Sequence, residues 1–142
     1  MATRCNIAIE DEVNGTVLGR GRQVYCHWDG YPAGVGKTLL NNYQTVEKVE
    51  ALVALGDLSS VHAEVAPPEG VKHSYDDRAD GVTVAYHRDR GEPLRAAEVM
   101  TPRCCEEFLY VWRPAREGVV GGWWLGSNRY SLRPLTEATC RD

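Results

Sequence analysis

Residues 24–40 gather most of the side-chain types in this sequence that can bind a ligand or do chemistry. The segment reads VYCHWDGYPAGVGKTLL and contains a thiol, an imidazole, an indole, a carboxylate, a phenol and a lysine. Its last part, GVGKT at residues 34–38, resembles a phosphate-binding loop, in which a glycine, four residues and Gly-Lys-Ser/Thr surround the phosphates of a nucleotide. The spacing of the glycines therefore decides whether a nucleotide hydrolase is predicted.

The spacing excludes a phosphate-binding loop. The required first glycine would fall on Tyr31, and the nearest glycine, Gly30, is one residue too far from the lysine. Pro32 also removes one of the backbone N–H groups that such a loop directs at phosphate. We therefore interpret GVGKT as the start of a helix and do not predict a nucleotide hydrolase.

The polar side chains of this segment do not predict a catalytic or a metal site either. On a strand, Cys26 and His27 point to opposite faces, so they cannot easily hydrogen-bond as a nucleophile and its base would. The chain has four histidines and five cysteines but lacks the close CxxC or HxxxH pairs of a structural zinc site. We expect a protein that is not an enzyme and that uses no metal or cofactor.

Length and composition predict one globular domain over residues 1–142. No apolar run is long enough to span a membrane, and the first ten residues lack the features of a secretory signal. An odd number of cysteines without CxxC favours a reducing compartment. The net charge of −4 argues against binding to long nucleic acids, although two or three converging arginines can still hold a small anion.

Hydrophobic periodicity predicts strands and two helices in the first half of the chain. Strands are expected at residues 5–9 and 23–28, separated by a polar, glycine-rich hairpin loop over residues 11–21. The buried face of a first, short helix is expected to comprise Val35, Leu39, Leu40 and Tyr43. A second helix is expected to begin after Thr45 and to stop at Gly56. Its buried stripe is expected to comprise Val46, Val49, Leu52 and Val53.

The second half of the chain predicts further strands after a long ordered loop at residues 58–80. In the strand expected at residues 81–87, Val82, Val84 and Tyr86 share one face. The other strands are expected at residues 93–100, 105–113 (after a short helical start), 123–125 and 129–132. The predicted fold is α+β, an antiparallel β-sheet of about five or six strands with two adjacent helices.

Two arginine pairs predict a site for a phosphorylated ligand. Arg88 and Arg90 either form a solvated turn with local ion pairs or hold a phosphate beside the Tyr86 ring. Arg129 and Arg133 either lie on an exposed strand face or present two guanidinium groups to one diphosphate. The repetition of the pattern at two places favours the ligand hypothesis.

The WDGYP turn at residues 28–32 also has two interpretations. In the first, the turn leads into the first helix, and Trp28 and Tyr31 are packing anchors. In the second, it is a ligand-facing loop in which an aromatic ring stacks on a base, an interaction of about 1–3 kcal/mol per base.

Several motifs resemble those of a small family of proteins from phages and prophages, over residues 3–92. These motifs are TRxNI at residues 3–7, YCHWDGYP at 25–32, GKxLL at 36–40, LGDLSS at 55–60 and RDRGE at 88–92. The family is identified as the phage-encoded sponge proteins that counter the bacterial Thoeris defence. The last third of the chain matches only in its aromatic and arginine character, and the insertions at residues 10–22 and 113–122 depart from shorter members.

The resemblance implies a single ligand-binding domain that sequesters cyclic ADP-ribose-type signals, and in some members cyclic oligonucleotides, without catalysis. It also implies a homo-oligomer in the host cytoplasm, with ligand sites between subunits and no long nucleic acid or membrane as partner. Carried over to this chain, Arg129 and Arg133 would hold phosphate, and Tyr86 or Phe108 would stack on the base. Together with the segments above, the predicted ligand-binding residues are His27, Trp28, Asp29, Gly30, Tyr86, Arg88, Arg90, Phe108, Arg129 and Arg133.

Two other functions remain as alternatives. One is an enzyme that cleaves such a nucleotide, with His27 or His87 as the acid–base group. The other is a protein–protein inhibitor that contacts a host factor through exposed aromatic side chains such as Trp123 and Trp124.

Overall fold

A long β-hairpin begins the fold in the computed structural model, which describes residues 2–141. Strand β1 (Cys5–Val13) pairs antiparallel with β2 (Thr16–Cys26). They are joined by Asn14 and Gly15 alone, at φ 50° and 81°, as a type I′ turn requires. The predicted hairpin loop over residues 11–21 is therefore wrong, because an Asn-Gly turn lets both polar arms continue as strands.

The sheet has eight strands rather than the predicted five or six. The remaining strands are β3 (Leu58–Ser60), β4 (Val84–Ala85), β5 (Glu98–Met100), β6 (Phe108–Arg113), β7 (Gly122–Ser127) and β8 (Arg133–Pro134). Their order is β4-β3-β2-β1-β6-β7-β8, and β5 pairs with β2 beside this path. The sheet is mixed rather than antiparallel, because β1 pairs with β6, and β2 with β3, in parallel.

The two predicted helices pack on one face of this sheet. A π-helical turn (Pro32–Gly36) leads into α1 (Lys37–Asn42), which confirms that GVGKT begins a helix. Helix α2 (Val46–Val53) begins after Thr45, whose hydroxyl accepts a hydrogen bond from the N–H of Lys48 at 3.3 Å. Val46 is exposed, contrary to the prediction. The core against the sheet includes Ile7, Val24, Leu39, Val49, Leu52, Tyr110 and Leu125.

The predicted strand at residues 81–87 ends early and becomes a helix. Strand β4 covers only two residues, and α3 (Tyr86–Arg90) follows directly, ending at Gly91 with φ 77°. Tyr86 therefore does not share a strand face with Val82 and Val84. The carboxylate of Asp89 favours the helix, because it reaches back to accept the backbone N–H of the N-cap residue Ala85 at 2.8 Å, as the acidic residue of a capping box does.

Two expectations for the last third of the chain are also wrong. The strand predicted at residues 129–132 is absent, and the chain bends until β8 begins at Arg133. Arg129, Ser131 and Arg133 therefore do not lie on one strand face. The helical start predicted before β6 is also absent, since the N–H groups of Cys105 and Glu106 both donate to the side chain of Asn6.

None of the helices formed by residues 2–141 has the length and apolar character needed to cross a membrane.

Candidate ligand-binding site

A pocket that joins two tyrosine rings to two arginines lies between the C-terminal part of β2, the start of β3 and α3. It has a volume of about 220 Å³ and is lined by Tyr25, Asp57, Tyr86, His87, Arg90, Glu92, Pro93 and Arg95. A neighbouring groove of about 410 Å³ shares three of these residues, Tyr25, Asp57 and Arg95. Because ligand sites commonly measure about 300–1,000 Å³, the pocket and the groove together have room for a small nucleotide.

Asp57 holds the two tyrosines of the pocket in place. Its carboxylate oxygen Oδ1 accepts the backbone N–H of Tyr25 at 3.2 Å, and its carbonyl oxygen accepts the N–H of Tyr86 at 3.3 Å. Burial raises the pKa of both phenols. The rings therefore stay neutral near pH 7, as suits walls that stack on a base.

Arginine side chains surround an aromatic ring beside the pocket. The guanidinium carbons of Arg78 and Arg90 each lie 4.7 Å from the centroid of the Tyr75 ring. That ring is stacked on Tyr86, with centroids 6.1 Å apart. Arg90 also forms a 3.4 Å ion pair with Glu92, but both side chains are about half exposed, so this pair is weak. Arg90 can therefore exchange Glu92 for a ligand phosphate at little cost.

Arg88 faces away from this pocket, in contrast to Arg90. Its Nη1 donates to the carbonyl oxygen of Val65 at 2.6 Å, and its Nη2 to that of Thr83 at 2.7 Å. It also forms a bidentate pair with Asp89, at 2.8 and 2.9 Å. The two arginines of RDRGE therefore make different contacts, because side chains two residues apart on a helix such as α3 point to nearly opposite sides.

His27 and Trp28 lie next to the pocket but do not line it. The Nδ1 atom of His27 lies 2.6 Å from the hydroxyl of Tyr25, and its ring meets the Trp28 ring edge-on at 4.7 Å. Trp28 is exposed. Through Tyr25, these two side chains are connected to the site without touching its interior.

Asp29 and Gly30 form the turn between β2 and the π-helical segment. Asp29 has φ 57°, and its carbonyl oxygen accepts the N–H of Val35 at 2.8 Å. Gly30 is buried, and its carbonyl oxygen accepts the hydroxyl of Tyr110 at 2.7 Å. A Cβ atom at Gly30 would lie 2.8 Å from the Cβ of Cys5 and 2.9 Å from the backbone of Arg4. The structure thus gives Gly30 a packing role.

The change Gly30→Ala is expected to lower the free energy of unfolding by about 1–3 kcal/mol, because the new methyl group overpacks the contact with β1. Urea denaturation measures this loss. A glycine that mainly faced a ligand would behave differently: the alanine variant would keep its stability and lose affinity.

A second cavity contains two of the predicted residues from the last third of the chain. It measures about 580 Å³ and is lined by Glu107, Phe108, Ser127, Asn128, Arg129 and Tyr130. Arg133 lies outside this lining, with its guanidinium 4.2 Å from the Tyr130 ring. The pocket and this cavity share no lining residue: of the ten predicted residues, Tyr86 and Arg90 line the pocket, Phe108 and Arg129 line the cavity, and the other six line neither.

Two features considered in the sequence are buried in the fold. Trp123 is not an exposed aromatic side chain, as the inhibitor alternative assumed, because its indole N–H donates to the carbonyl oxygen of Tyr43 in the core. Cys26 is buried on the helix face of the sheet, whereas His27 points to the opposite side. Among residues 2–141, no three His, Cys, Asp or Glu side chains lie close enough to hold a metal ion.

Six lining residues of the pocket were not among the predicted ligand-binding residues: Tyr25, Asp57, His87, Glu92, Pro93 and Arg95. Of these, His87 was named only as an acid–base candidate of the enzyme alternative. A signal existed for Tyr25, which alternation along β2 places opposite the buried Val24 and Cys26. A weaker signal existed for Asp57, a charged residue between a helix stop and a buried strand. Arg95 lies in an extended segment whose position next to α2 is visible only in three dimensions.

Comparisons with protein-family models, with curated proteins and with solved structures found no match. The class of the protein is defined by its fold and pocket alone. It is an α+β protein with a mixed sheet, few helices and a pocket that combines tyrosine rings with arginines.

Proposed function

We propose that the protein binds and sequesters a small cyclic nucleotide immune signal, of the cyclic ADP-ribose type or a cyclic oligonucleotide, without cleaving it. The observation that carries the proposal is the single pocket in which Tyr25 and Tyr86 stand beside Arg90 and Arg95. The motif resemblance of residues 3–92 to phage Thoeris anti-defence sponges supports the same function. As part of the proposal, the protein works as a homo-oligomer in the host cytoplasm.

The chemistry of the pocket fits a nucleotide. Stacking of a base on a tyrosine contributes about 1–3 kcal/mol, and a guanidinium fork matches the geometry of a phosphate. The chain as a whole carries a net charge of −4, whereas the pocket lining has two arginines and two carboxylates and is formally neutral. A few fixed guanidinium groups in an acidic protein favour a small anion over a long one.

Sequestration needs affinity and a sufficient number of sites, and no group has to stabilise a transition state. His87, the acid–base candidate that lines the pocket, has its Nδ1 atom 2.7 Å from the carbonyl oxygen of Glu92. This contact orients the ring along the pocket edge and fits a role in binding.

Calorimetric titration with cyclic ADP-ribose isomers and with cyclic di- and trinucleotides tests the proposal. At least one ligand is expected to bind, and Arg90→Ala and Arg95→Ala are each expected to raise its Kd roughly 10- to 100-fold. This follows because one hydrogen bond to a charged group contributes about 1.5–3 kcal/mol. Arg20→Ala is the control, since the exposed side chain of this arginine has no hydrogen bond or ion pair with residues 2–141. The Kd of this variant for the ligand should equal that of the wild-type protein.

Three results would contradict the proposal in different ways. Absence of heat with every ligand would exclude nucleotide binding. A loss of affinity in Arg129→Ala, with none in the Arg90 and Arg95 variants, would move the site to the second cavity. Recovery of a cleaved ligand by mass spectrometry, after heat denaturation of the complex, would favour the enzyme alternative over sequestration.

A further inference from the structure

Asp57 occupies the place where the pocket and the neighbouring groove meet, because it lines both. Tyr25 and Arg95 line both volumes with it, whereas Tyr86 and Arg90 line the pocket alone. A ligand that fills both volumes must therefore pass the Asp57 carboxylate.

The fold fixes the position of Asp57 in the pocket. Asp57 is tied to β2 and to α3 by its hydrogen bonds with the N–H groups of Tyr25 and Tyr86. The preceding residue, Gly56, has φ 77°, and a Cβ atom there would lie 2.4 Å from the carbonyl oxygen of Arg95. This close backbone contact requires glycine and fixes the separation of Asp57 from the arginine segment.

The carboxylate keeps capacity to accept further hydrogen bonds. Within residues 2–141 it receives one hydrogen bond, at Oδ1, although an ionised carboxylate has about four acceptor sites. Burial raises the pKa of the Asp57 carboxyl, and the Tyr25 N–H and the positive charge of Arg95 offset part of this increase. A half-buried acceptor with so few partners is stabilised when a ligand supplies an O–H or N–H group.

We propose that Asp57 accepts a hydrogen bond from a ribose hydroxyl of the ligand, so that the site selects ribonucleotides over 2′-deoxyribonucleotides. This inference rests on the proposed function. The composition of the lining supports it: Asp57 shares the pocket with tyrosines that can stack on a base and with arginines that can pair with phosphate, and in a nucleotide the sugar links these two parts. A carboxylate that accepts the ribose 2′-hydroxyl is also the usual device of dinucleotide-binding folds.

Affinity for matched ribo and deoxyribo ligands tests the inference. Wild-type protein is titrated with cyclic ADP-ribose, cyclic di-AMP and cyclic tri-AMP, and with the 2′-deoxy form of each. The best ribo ligand is expected to bind roughly 10- to 100-fold more tightly than its deoxy form, as one charge-assisted hydrogen bond implies. In Asp57→Asn, which keeps Oδ1 for the Tyr25 N–H but replaces the other acceptor with an NH₂ donor, this preference is expected to disappear.

Glu69→Gln is the matched control, because this exposed carboxylate lines neither the pocket nor the groove and has no hydrogen bond or ion pair with the described residues. It should keep the ribose preference. Equal affinity of the wild-type protein for ribo and deoxy forms would overturn the inference and leave nucleotide binding intact. If Asp57→Asn binds the ligand more weakly but keeps the ribose preference, Asp57 contacts another part of the ligand, such as a base amino group. That result would also overturn the inference. Failure of every ligand to bind would overturn the proposed function and, with it, the inference.

Discussion

The change Asp89→Ala is expected to lower the free energy of unfolding by about 2–4 kcal/mol, because it removes the buried acceptor of several hydrogen bonds, one of them charged. The Asp89 side chain is 3% exposed and receives both donors of the Arg88 fork. It also accepts the N–H of Ala85 at 2.8 Å, and the Nε2 atom of the equally buried His73 lies 3.2 Å away. Alanine can replace none of these contacts.

Loss of Asp89 should also release the loop that follows β3. That loop contacts the Asp89 carboxylate directly through His73. Its other links to α3 are the N–H of Tyr75, which donates to the main-chain carbonyl oxygen of Asp89, and Arg88, which the Asp89 carboxylate orients toward the carbonyl oxygen of Val65. Urea denaturation gives the stability change, and hydrogen exchange of the Tyr75 amide should quicken. Asp76→Ala, at an exposed position of the same loop, should change stability by less than about 0.5 kcal/mol. An equal loss in both variants would refute the role of Asp89.

The same carboxylate predicts a loss of stability in acid. Burial alone would raise the pKa of Asp89, but the hydrogen bonds from Arg88 and the Ala85 N–H outweigh burial, and the pKa is lowered. Its contribution to stability is therefore complete above the unfolded-state pKa of about 3.9 and is lost as the pH falls through the folded-state pKa. Unfolding free energies measured from pH 7 to pH 2.5 should fall less steeply below pH 4 in Asp89→Asn than in the wild-type protein.

The change Trp123→Ala is expected to lower the free energy of unfolding by about 3–5 kcal/mol, as large-to-small changes of a buried tryptophan do. Trp123 is 6% exposed and packs in the main core, edge-on to Trp112 with ring centroids 5.6 Å apart. Its indole N–H donates to the carbonyl oxygen of Tyr43 at 2.7 Å, and this acceptor would lose its partner. Urea denaturation followed by tryptophan fluorescence measures the effect.

Trp124 provides the matched comparison, because neighbouring residues of β7 point to opposite faces of the sheet. Its ring is half-buried, donates to the carbonyl oxygen of Val120 and lies 4.7 Å from the guanidinium of Arg113. Trp124→Ala is expected to cost about 1–2 kcal/mol, from one hydrogen bond and one cation–π contact. Similar losses at both positions would contradict the burial difference between the two rings.

Local patterns were enough to predict the elements that depend on near neighbours in the chain. The strand at Cys5, the helix that starts within GVGKT and the Thr45 cap all follow from periodicity and capping within a few residues. The hairpin turn at Asn14-Gly15 carried an equally local signal, which the polar composition of its arms obscured. The helix over residues 86–90 was missed because its first turn is capped by Asp89, a contact that competes with strand alternation.

By itself the sequence determined the fold class, the two helices, the start of the sheet and the choice of Tyr86 and Arg90 as ligand-binding candidates. Only the tertiary structure decided the strand count, the parallel pairings of β1 with β6 and of β2 with β3, and the residues that share one pocket. The physical reason is sequence separation. Tyr25, Asp57, Tyr86 and Arg95 come from four distant segments. They meet because the carboxylate of Asp57 bonds the backbone of Tyr25, its main-chain carbonyl bonds that of Tyr86, and Gly56 packs tightly on the backbone of Arg95.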